Sequence, residues 1–217
     1  GSGVGFSNCD LGVLTNIEVY NLGFNYIHNL KDLTRVKRVV LDSVKKNGWS
    51  ILNADNEYSM KIVNDLDSRV AIFSMNENNP HIQKFAKDGR ITCIYEEGFV
   101  TIKKGDWKIR IGKAKDFPIT MEGKAKFMIE NVLAASLACY LYGFGIEDIS
   151  NSLRTFIPSA QLTPGRLNVF KFKNFKVLID FAHNPSGYEA IEDYLKNVEA
   201  TKKIGIISGV GDRRDSD

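Results

Sequence analysis

The sequence predicts an α/β protein with a mostly parallel sheet and a small β-meander insertion, followed by the start of a second α/β domain. Short apolar runs alternate with amphipathic helical patterns through residues 1–160, as in strands joined by crossover helices. Within this region the pattern changes to three closely spaced strands, which is typical of a meander. After a polar, proline-flanked segment, 158–164, the strand and helix patterns begin again. We therefore expect two domains, 1–162 and 163–217, with a cleft between them where ligands commonly bind.

The first domain is expected to begin with a strand at 11–17 and a helix at 30–46. The helix has an apolar stripe with a 3.6-residue period, and Asn47-Gly48 is predicted to end it. The later elements are predicted in this order: strand 50–53, a helix to residue 66, strand 69–74, helix 80–87, meander strands 91–95, 99–103 and 107–111, and helices 124–142 and 146–156.

The second domain is expected to open with two paired strands. Residues 166–172 and 175–181 are rich in β-branched and aromatic residues, and only Lys173-Asn174 separates them, which predicts a hairpin. Within the second run, residues 176–181 have the composition of a buried parallel strand. A further apolar run, 203–208, is predicted to be the next strand of the same sheet.

Polar residues follow both of these strands at their ends. Asp180 and His183 follow the first, and the glycine-rich segment 209–215 follows the second. Pro185 opens an amphipathic helix between the two strands, and the start of a helix supplies free N–H groups for an anion. Because ligands bind outside the carboxyl ends of strands in open α/β sheets, this region is a candidate site.

The composition argues against several functional classes. The net charge of +3 over 217 residues is small, and the lysines are dispersed, so nothing favours nucleic acid as a partner. Cys9, Cys93 and Cys139 have no paired spacing, which predicts free thiols in a reducing compartment. No apolar run has the length of a membrane-spanning helix. We therefore expect a cytoplasmic protein with no membrane partner.

Six segments resemble, in order, motifs of the Mur ligase superfamily. Together they extend over nearly the whole chain, and within the superfamily they are most similar to the C-terminal ligase module of cyanophycin synthetases. The resemblance implies a Mur ligase central domain for 1–162 and the start of a Rossmann-like C-terminal domain for 163–217. The segments are 9–17 (Cys-Asp-Leu-Gly-Val-Leu-Thr-Asn-Ile), 52–56 (Leu-Asn-Ala-Asp-Asn), 129–135 (Ile-Glu-Asn-Val-Leu-Ala-Ala), 163–168 (Thr-Pro-Gly-Arg-Leu-Asn), 180–185 (Asp-Phe-Ala-His-Asn-Pro) and 209–215 (Gly-Val-Gly-Asp-Arg-Arg-Asp).

The resemblance implies an ATP-dependent amide ligase with ATP and Mg²⁺ as cofactors. In such ligases a carboxylate takes the γ-phosphoryl group of ATP to give an acyl phosphate, and an amine then displaces phosphate. The implied partners are an amino acid and an acidic peptide or polymer. In cyanophycin synthetases this module adds arginine to the side-chain carboxylates of poly-aspartate. The resemblance is also compatible with a homo-oligomer.

The resemblance further implies roles for four residues at the nucleotide. Asn131 would contact the adenine, Arg166 would reach a phosphate, Asp180 would bind the ribose or orient the nucleotide, and His183 would lie near the phosphates. Each residue type also has an ordinary structural explanation. An asparagine in a core helix can be satisfied locally, an arginine after Pro-Gly is often solvated, and an aspartate at a strand end often forms a turn.

Three other residues receive roles from the same resemblance. Lys37 matches a lysine that is carbamylated in several relatives and bridges magnesium, so it joins Arg166 and His183 as a catalytic candidate. The alternative for Lys37 is a solvated residue, because its helix is rich in lysine and arginine. Asp212 and Arg213 would line the substrate side of the cleft, with an ordinary Gly-Asp turn as the alternative.

Two features depart from the family pattern. No Gly-x-x-x-x-Gly-Lys-[Ser/Thr] loop occurs in the sequence, and in the family this phosphate-binding loop lies upstream of the segments matched here. Tyr20-Asn21-Leu22 stands where the family usually has Asp-His-Leu, whose histidine helps to bind a second magnesium. We therefore expect a piece of a larger ligase that does not turn over by itself.

Two alternatives remain open. Another Mur-like ligase, such as a folylpolyglutamate synthase or a peptidoglycan ligase, would share most of the motifs. The segments 163–166 and 211–215 favour the cyanophycin synthetase type over these. A non-catalytic α/β module that binds a polymer end or a partner subunit is favoured by Tyr20-Asn21.

Overall fold

The alternating strands and helices build a six-stranded sheet in the computed structural model, which describes residues 4–18 and 27–208. Within these ranges the strand order is β1-β2-β3-β4-β5-β6, and a separate two-stranded sheet, β7-β8, follows. The elements are β1 (Cys9–Leu14), α1 (Leu30–Asp42), β2 (Val44–Asn53), α2 (Glu57–Lys61), β3 (Arg69–Ser74), α3 (Pro80–Lys87), β4 (Ile91–Glu96), β5 (Phe99–Lys104), β6 (Trp107–Lys113), α4 (Lys126–Tyr142), α5 (Ile146–Thr155), β7 (Asn168–Lys171), β8 (Lys176–Ile179) and α6 (Pro185–Lys196).

The parallel part of the large sheet is buried on both faces. Strands β1 to β4 are parallel, and in register Ile51 lies beside Ala71 and Leu52 beside Ile72. Successive residues of a strand point to opposite faces. Ile51 and Ala71 therefore join the core beneath α4 and α5, whereas Leu52 and Ile72 join the core beneath α1, α2 and α3. Burial on both faces explains why Ile51-Leu52 of β2 and residues 70–73 of β3 are apolar at successive positions.

The three meander strands are present and continue the large sheet. Strands β4, β5 and β6 pair antiparallel, while β4 is also parallel to β3. Val100 and Ile102 of β5 are completely buried in the core beneath α4. The meander thus extends the apolar surface on which α4 and α5 pack.

The end of α1 differs from the prediction. The helix ends at Asp42, and residues 44–46, predicted to be helical, already belong to β2. Gly48 does not end a helix but lies within β2 against β1. A Cβ atom at this position would approach the backbone oxygen of Asp10 to 2.5 Å. Close packing of the two strands, and not helix termination, therefore requires the glycine.

Residues 163–208 differ more strongly from the prediction. Strands β7 and β8 form the predicted hairpin, but β8 pairs only with β7, antiparallel, so 176–181 is not a buried parallel strand. Residues 203–208 are exposed and join neither sheet. The Lys203 amine donates a hydrogen bond to the backbone oxygen of Leu195 at 2.6 Å, which attaches this segment to α6 instead.

The hairpin has one covered face and one open face. On the covered face Leu178 packs with Ile191 and Leu195 of α6, in a cluster that also contains Met128 of α4. The other face is apolar and exposed, and we call it the open hairpin face. It consists of Phe170, Phe172, Phe175, Val177 and Ile179. Within residues 4–18 and 27–208, no helix combines the length and the apolar character needed to cross a membrane.

Candidate functional site

The carboxyl edge of the large sheet is held by one hydrogen-bonded aspartate. Asp55 follows β2, and its carboxylate accepts hydrogen bonds from the Ser74 hydroxyl at 2.6 Å and the Met75 N–H at 2.7 Å. The Asn79 amide donates to the same carboxylate at 2.9 Å and to the Ala54 carbonyl at 3.0 Å. Hydrogen bonds to an ionised acceptor are stronger than neutral ones, so Asp55 fixes the ends of β2 and β3 relative to α3.

The end of β1 is tied to the same edge. The Asn56 side-chain oxygen caps α2 by accepting from the Ser59 N–H at 2.9 Å, while its amide donates to the Ile17 carbonyl at 3.1 Å. Asn16 in turn donates to the Glu18 carboxylate at 3.0 Å. Polar side chains from the ends of three parallel strands thus form a continuous, preorganised edge, as expected for a ligand site in an α/β sheet.

Glu130 at this edge feels the charges of two neighbouring carboxylates. The pKa of Glu130, on α4, is raised to about 7, mainly by burial and further by the negative charges of Asp55 and Glu18. A carboxylate desolvated beside like charges is costly to ionise, so a cation at this edge would be favoured. Carboxylate oxygens are ligands that Mg²⁺ prefers.

The donor set fits Mg²⁺ only in combination with a ligand. Residues 4–18 and 27–208 contain no group of three or more His, Cys, Asp or Glu side chains arranged to hold a metal. However, Mg²⁺ is commonly held by one or two carboxylates together with substrate phosphates. Glu18 and Glu130 could supply that smaller number. Glu18 accepts only the Asn16 amide among the described residues, whereas the Asp55 carboxylate already accepts three hydrogen bonds.

Lys37 lies on the inward side of α1. It is half-buried and stands one helical turn from both Leu33 and Leu41, which are buried in the core. Side chains four residues apart share one face of a helix, so Lys37 is not on the solvated face of α1. In the described part of the chain, no carboxylate forms an ion pair with it.

Asn131 is exposed on α4, next to Glu130. Its amide contacts the Met128 sulfur at 3.8 Å, and among the described residues it has no oxygen partner. Sulfur is a weak acceptor, so the amide retains hydrogen-bonding capacity for a ligand. Asn131 is therefore not a core asparagine whose hydrogen bonds are satisfied locally.

Arg166 and His183 lie on the ring of the same residue, Phe181. The Arg166 guanidinium carbon is 5.6 Å from the centre of the Phe181 ring, and the His183 ring centre is 5.3 Å from it. The His183 Nδ1 is 3.0 Å from the Phe181 carbonyl oxygen. Because a carbonyl oxygen only accepts, Nδ1 must bear a hydrogen, which leaves Nε2 as the nitrogen available to a ligand.

Asp180 holds the loop that contains Arg166. Its carboxylate accepts a hydrogen bond from the Leu167 N–H at 2.8 Å, and Leu167 has a left-handed φ of 48°. The buried Asn168 side chain accepts from the Gly165 N–H at 2.8 Å and donates to the Thr163 carbonyl at 3.0 Å. These bonds compensate for the unfavourable backbone conformation and give loop 163–168 one defined shape.

The comparison with known protein families identifies the fold. The family model of the Mur ligase middle domain matches residues 2–139, more than half of the chain. The chain belongs to the Mur ligase family. The match covers the large sheet and its helices up to α4. The elements α5, β7, β8 and α6 lie beyond it.

Individual relatives match a longer part of this Mur ligase chain. It is 42% identical over 216 residues to the cyanophycin synthetase of Geminocystis herdmanii (strain PCC 6308), covering 100% of this chain and 25% of that protein. The cyanophycin synthetase of Synechocystis sp. (strain ATCC 27184 / PCC 6803 / Kazusa) is 41% identical, with the same coverage. The predicted resemblance to cyanophycin synthetases is confirmed, and the chain spans about a quarter of the length of these relatives.

Solved structures confirm the α/β fold of the Mur ligase chain. The MurF ligase of Thermotoga maritima in complex with ADP has a TM-score of 0.55 at 16% identity, covering 88% of this chain and 40% of that one. The folylpolyglutamate synthase of Mycobacterium tuberculosis complexed with ADP has a TM-score of 0.59 at 13% identity, covering 88% and 39%. At these identities the likeness supports the fold alone.

The candidate residues of this Mur ligase chain fall into separate groups. Arg166, Asp180 and His183 come together around Phe181, and the Leu167 beside them packs in one buried cluster with Met128 of α4. That cluster lies one helical turn from Asn131. Among the residues that the structure describes, no hydrogen bond or ion pair joins Lys37 of α1 to either group. Asp212, Arg213 and the departure at Tyr20-Asn21-Leu22 lie outside the described residues.

Three residues of the site were missed from the sequence. Asn168 stands two residues after Arg166 in a Pro-Gly turn, where an asparagine that bonds to nearby backbone could have been suspected. Phe181 lies inside the recognised motif, but the apolar pattern there predicts only a strand residue. Glu130 gave no signal, because its raised pKa depends on Asp55 and Glu18, which are distant in sequence.

Proposed function

We propose that this chain is part of an ATP-dependent amide ligase of the cyanophycin synthetase type. The observation that carries the proposal is the 40–42% identity to five cyanophycin synthetases over all of the chain. It extends past residue 139, where the middle-domain match ends, and so includes the loop with Arg166 and the motif with His183. By comparison, the UDP-N-acetylmuramoyl-L-alanyl-D-glutamate--2,6-diaminopimelate ligase of Caldanaerobacter subterraneus subsp. tengcongensis is 24% identical over 204 residues.

The proposed reaction has two steps. A substrate carboxylate oxygen attacks the γ-phosphorus of ATP, so that ADP leaves and an acyl phosphate forms. The nitrogen of an amine then attacks the acyl carbon, inorganic phosphate leaves, and the nitrogen loses a proton. We propose that the carboxylate belongs to an aspartate side chain of a poly-aspartate backbone and that the amine is that of arginine.

The described residues suit the charge changes of this reaction. Arg166 and His183 would bind the phosphates, because a guanidinium is always charged and its fork matches phosphate oxygens. Asn131 would bind the adenine with its available amide. Asp180 would act on the nucleotide chiefly through loop 163–168, because its carboxylate already accepts the Leu167 N–H.

Lys37 completes the proposed catalytic set with Arg166 and His183, and Asp212 and Arg213 are the proposed substrate-binding pair. Mg²⁺, when bound, would neutralise phosphate charge, and Glu18 and Glu130 are the described carboxylates that would hold it. We further propose a domain boundary between residues 162 and 163. The three cysteines are free, which supports a reducing compartment and hence a cytoplasmic location.

The test is a ligation assay on the complete gene product that contains this chain. The protein is incubated with ATP, Mg²⁺, arginine and a short aspartate peptide, and phosphate release and peptide mass are followed. We expect one phosphate released per arginine added, and none when either the peptide or arginine is omitted. Release that depends instead on a folate or a muramoyl peptide would transfer the chain to another Mur-like ligase. Absence of release with every acceptor would favour a non-catalytic module.

A further inference from the structure

Phe181 is an aromatic residue that the core does not explain. Phe181 is 55% exposed, whereas Leu178, three residues earlier on β8, packs beneath α6. Exposed phenylalanines occur elsewhere on the hairpin, where Phe172 and Phe175 stack on each other at 4.7 Å. Phe181 instead contacts two residues that can bear positive charge.

Four contacts converge on Phe181. Its N–H donates to the Gly165 carbonyl at 2.7 Å, and its carbonyl lies 3.0 Å from the His183 Nδ1. Its ring lies 5.6 Å from the Arg166 guanidinium carbon and 5.3 Å from the His183 ring centre. The residue thus joins loop 163–168 to the start of α6 through both its backbone and its ring.

We propose that Phe181 is a positioning residue that holds Arg166 and His183 as one phosphate-binding pair. This inference rests on the proposed function, because it names how the two proposed phosphate ligands are oriented. The ring would restrict the long Arg166 side chain, whose free rotation otherwise costs entropy when a ligand binds. No residue in the described part of the chain forms an ion pair with Arg166, so its N–H groups remain available to a ligand.

The ring contacts both groups in different ways. The negative charge density on an aromatic face attracts a cation within about 6 Å, and a guanidinium stacks well on such a face. The Phe181 carbonyl, meanwhile, fixes the hydrogen of His183 on Nδ1. Replacing the ring by an alkyl group would leave the backbone contacts in place and remove only the orientation of the side chains.

The test compares Phe181→Leu with Phe181→Tyr in the complete gene product. ATP binding is measured by calorimetry, kcat and KM by phosphate release, and folding by thermal unfolding. We expect Phe181→Leu to weaken ATP binding about two- to fivefold, the range of a cation–π contact at an exposed site, with an unchanged melting temperature. Phe181→Tyr keeps the ring and should bind ATP like the wild type.

Two controls separate positioning from general effects. Phe175→Leu removes an exposed phenylalanine of the same hairpin that contacts no proposed ligand residue, and it should leave ATP binding unchanged. In an Arg166→Gln background, Phe181→Leu should cause less additional loss than it does alone, because the partner of the ring is already absent.

The outcomes distinguish this inference from the proposed function. Wild-type binding by Phe181→Leu, or an equal loss in the Arg166→Gln background, would overturn the role of Phe181 alone. A wild type that binds ATP but ligates nothing would overturn the proposed function, while the comparison of Phe181 variants would still decide the role of the ring. A wild type that binds no ATP would overturn both.

Discussion

The two groups of residues in the candidate site differ in charge and in how tightly the strands beneath them are packed. The carboxyl edge of the large sheet is acidic, with Glu18, Asp55 and Glu130 close enough to raise a pKa, and it rests on strands buried on both faces. The cluster around Phe181 presents Arg166 and His183 at the base of a hairpin with one open face. A cation is complementary to the acidic edge, and a polyphosphate is complementary to the cluster around Phe181. Under the proposed function, the acidic edge would hold the metal ion and the separate basic loop would bind the phosphates of the nucleotide.

The largest expected effect tests whether the large sheet is more tightly packed than the hairpin. Ile72→Ala removes a completely buried side chain of β3, and we expect it to destabilise the protein by about 2–5 kcal/mol. Val177→Ala on the open hairpin face should cost less than about 1 kcal/mol. Denaturant unfolding followed by tryptophan fluorescence measures the first change, because Trp49 and Trp107 both lie in the large sheet. Equal costs for the two variants would show that the hairpin is packed as tightly as the sheet.

The next effect tests the cluster around Phe181. Arg166→Gln keeps a polar side chain but removes the charge, and we expect kcat/KM for ATP to fall about a hundredfold or more. The matched control is Arg69→Gln, because Arg69 also stacks on an aromatic ring, that of Trp49 at 4.3 Å, but lies in the large sheet. If both variants lose activity equally, the loss would come from general destabilisation and not from a phosphate contact.

A smaller effect tests how loop 163–168 is held. Asn168→Ala would leave the Gly165 N–H without its partner and remove one of the two hydrogen bonds to the Thr163 carbonyl, which should cost about 1–3 kcal/mol. Hydrogen exchange of β7 and β8 should report the loss, whereas the amides of β2 and β3 should be unaffected. Asn174→Ala, at the exposed hairpin turn, serves as the control. Unchanged exchange in β7 and β8 would contradict the role given to Asn168.

The smallest effect tests the acidic edge through its pH dependence. The folded-state pKa of Glu130 is raised to about 7, above its unfolded value, so the folded protein holds the Glu130 proton more tightly. Stability from this residue is therefore fully present below about pH 4.5 and is lost as the pH rises through about 7. Glu130→Gln should remove this dependence and stabilise the protein at pH 8 by an amount on the order of 1 kcal/mol. If the free energy of unfolding depended on pH in the same way for the wild type and the variant, the Glu130 carboxylate would be solvated and not desolvated by burial.

Most of the fold was predictable because local patterns and long-range packing agree. Strands such as β2 and β3 are apolar on both faces, and that composition is visible in the sequence without knowledge of their partners. The end of α1 was mispredicted because Asn47-Gly48 resembles a helix stop, whereas Gly48 is required by contact with Asp10 on a neighbouring strand. Residues 176–181 and 203–208 were mispredicted because an apolar run specifies neither which strand pairs with it nor in which direction.

The site was predictable where a motif encodes it and unpredictable where geometry creates it. The motifs pointed to Arg166, Asp180 and His183, which do lie together, although their roles remain proposals. They gave no indication that Asp180 bonds to Leu167 or that the Phe181 ring contacts both Arg166 and His183. Such relations depend on side-chain directions after folding, which residue spacing alone does not determine.

The open hairpin face has a practical consequence for anyone who isolates this stretch of polypeptide. Its phenylalanines would adsorb environment-sensitive fluorophores, and the emission would rise without any unfolding. Neighbouring molecules could bury the same rings against one another, so light scattering should increase with protein concentration and decrease in mild detergent. A low protein concentration should prevent this self-association. Substitution of Phe172 and Phe175 by charged residues should have the same effect.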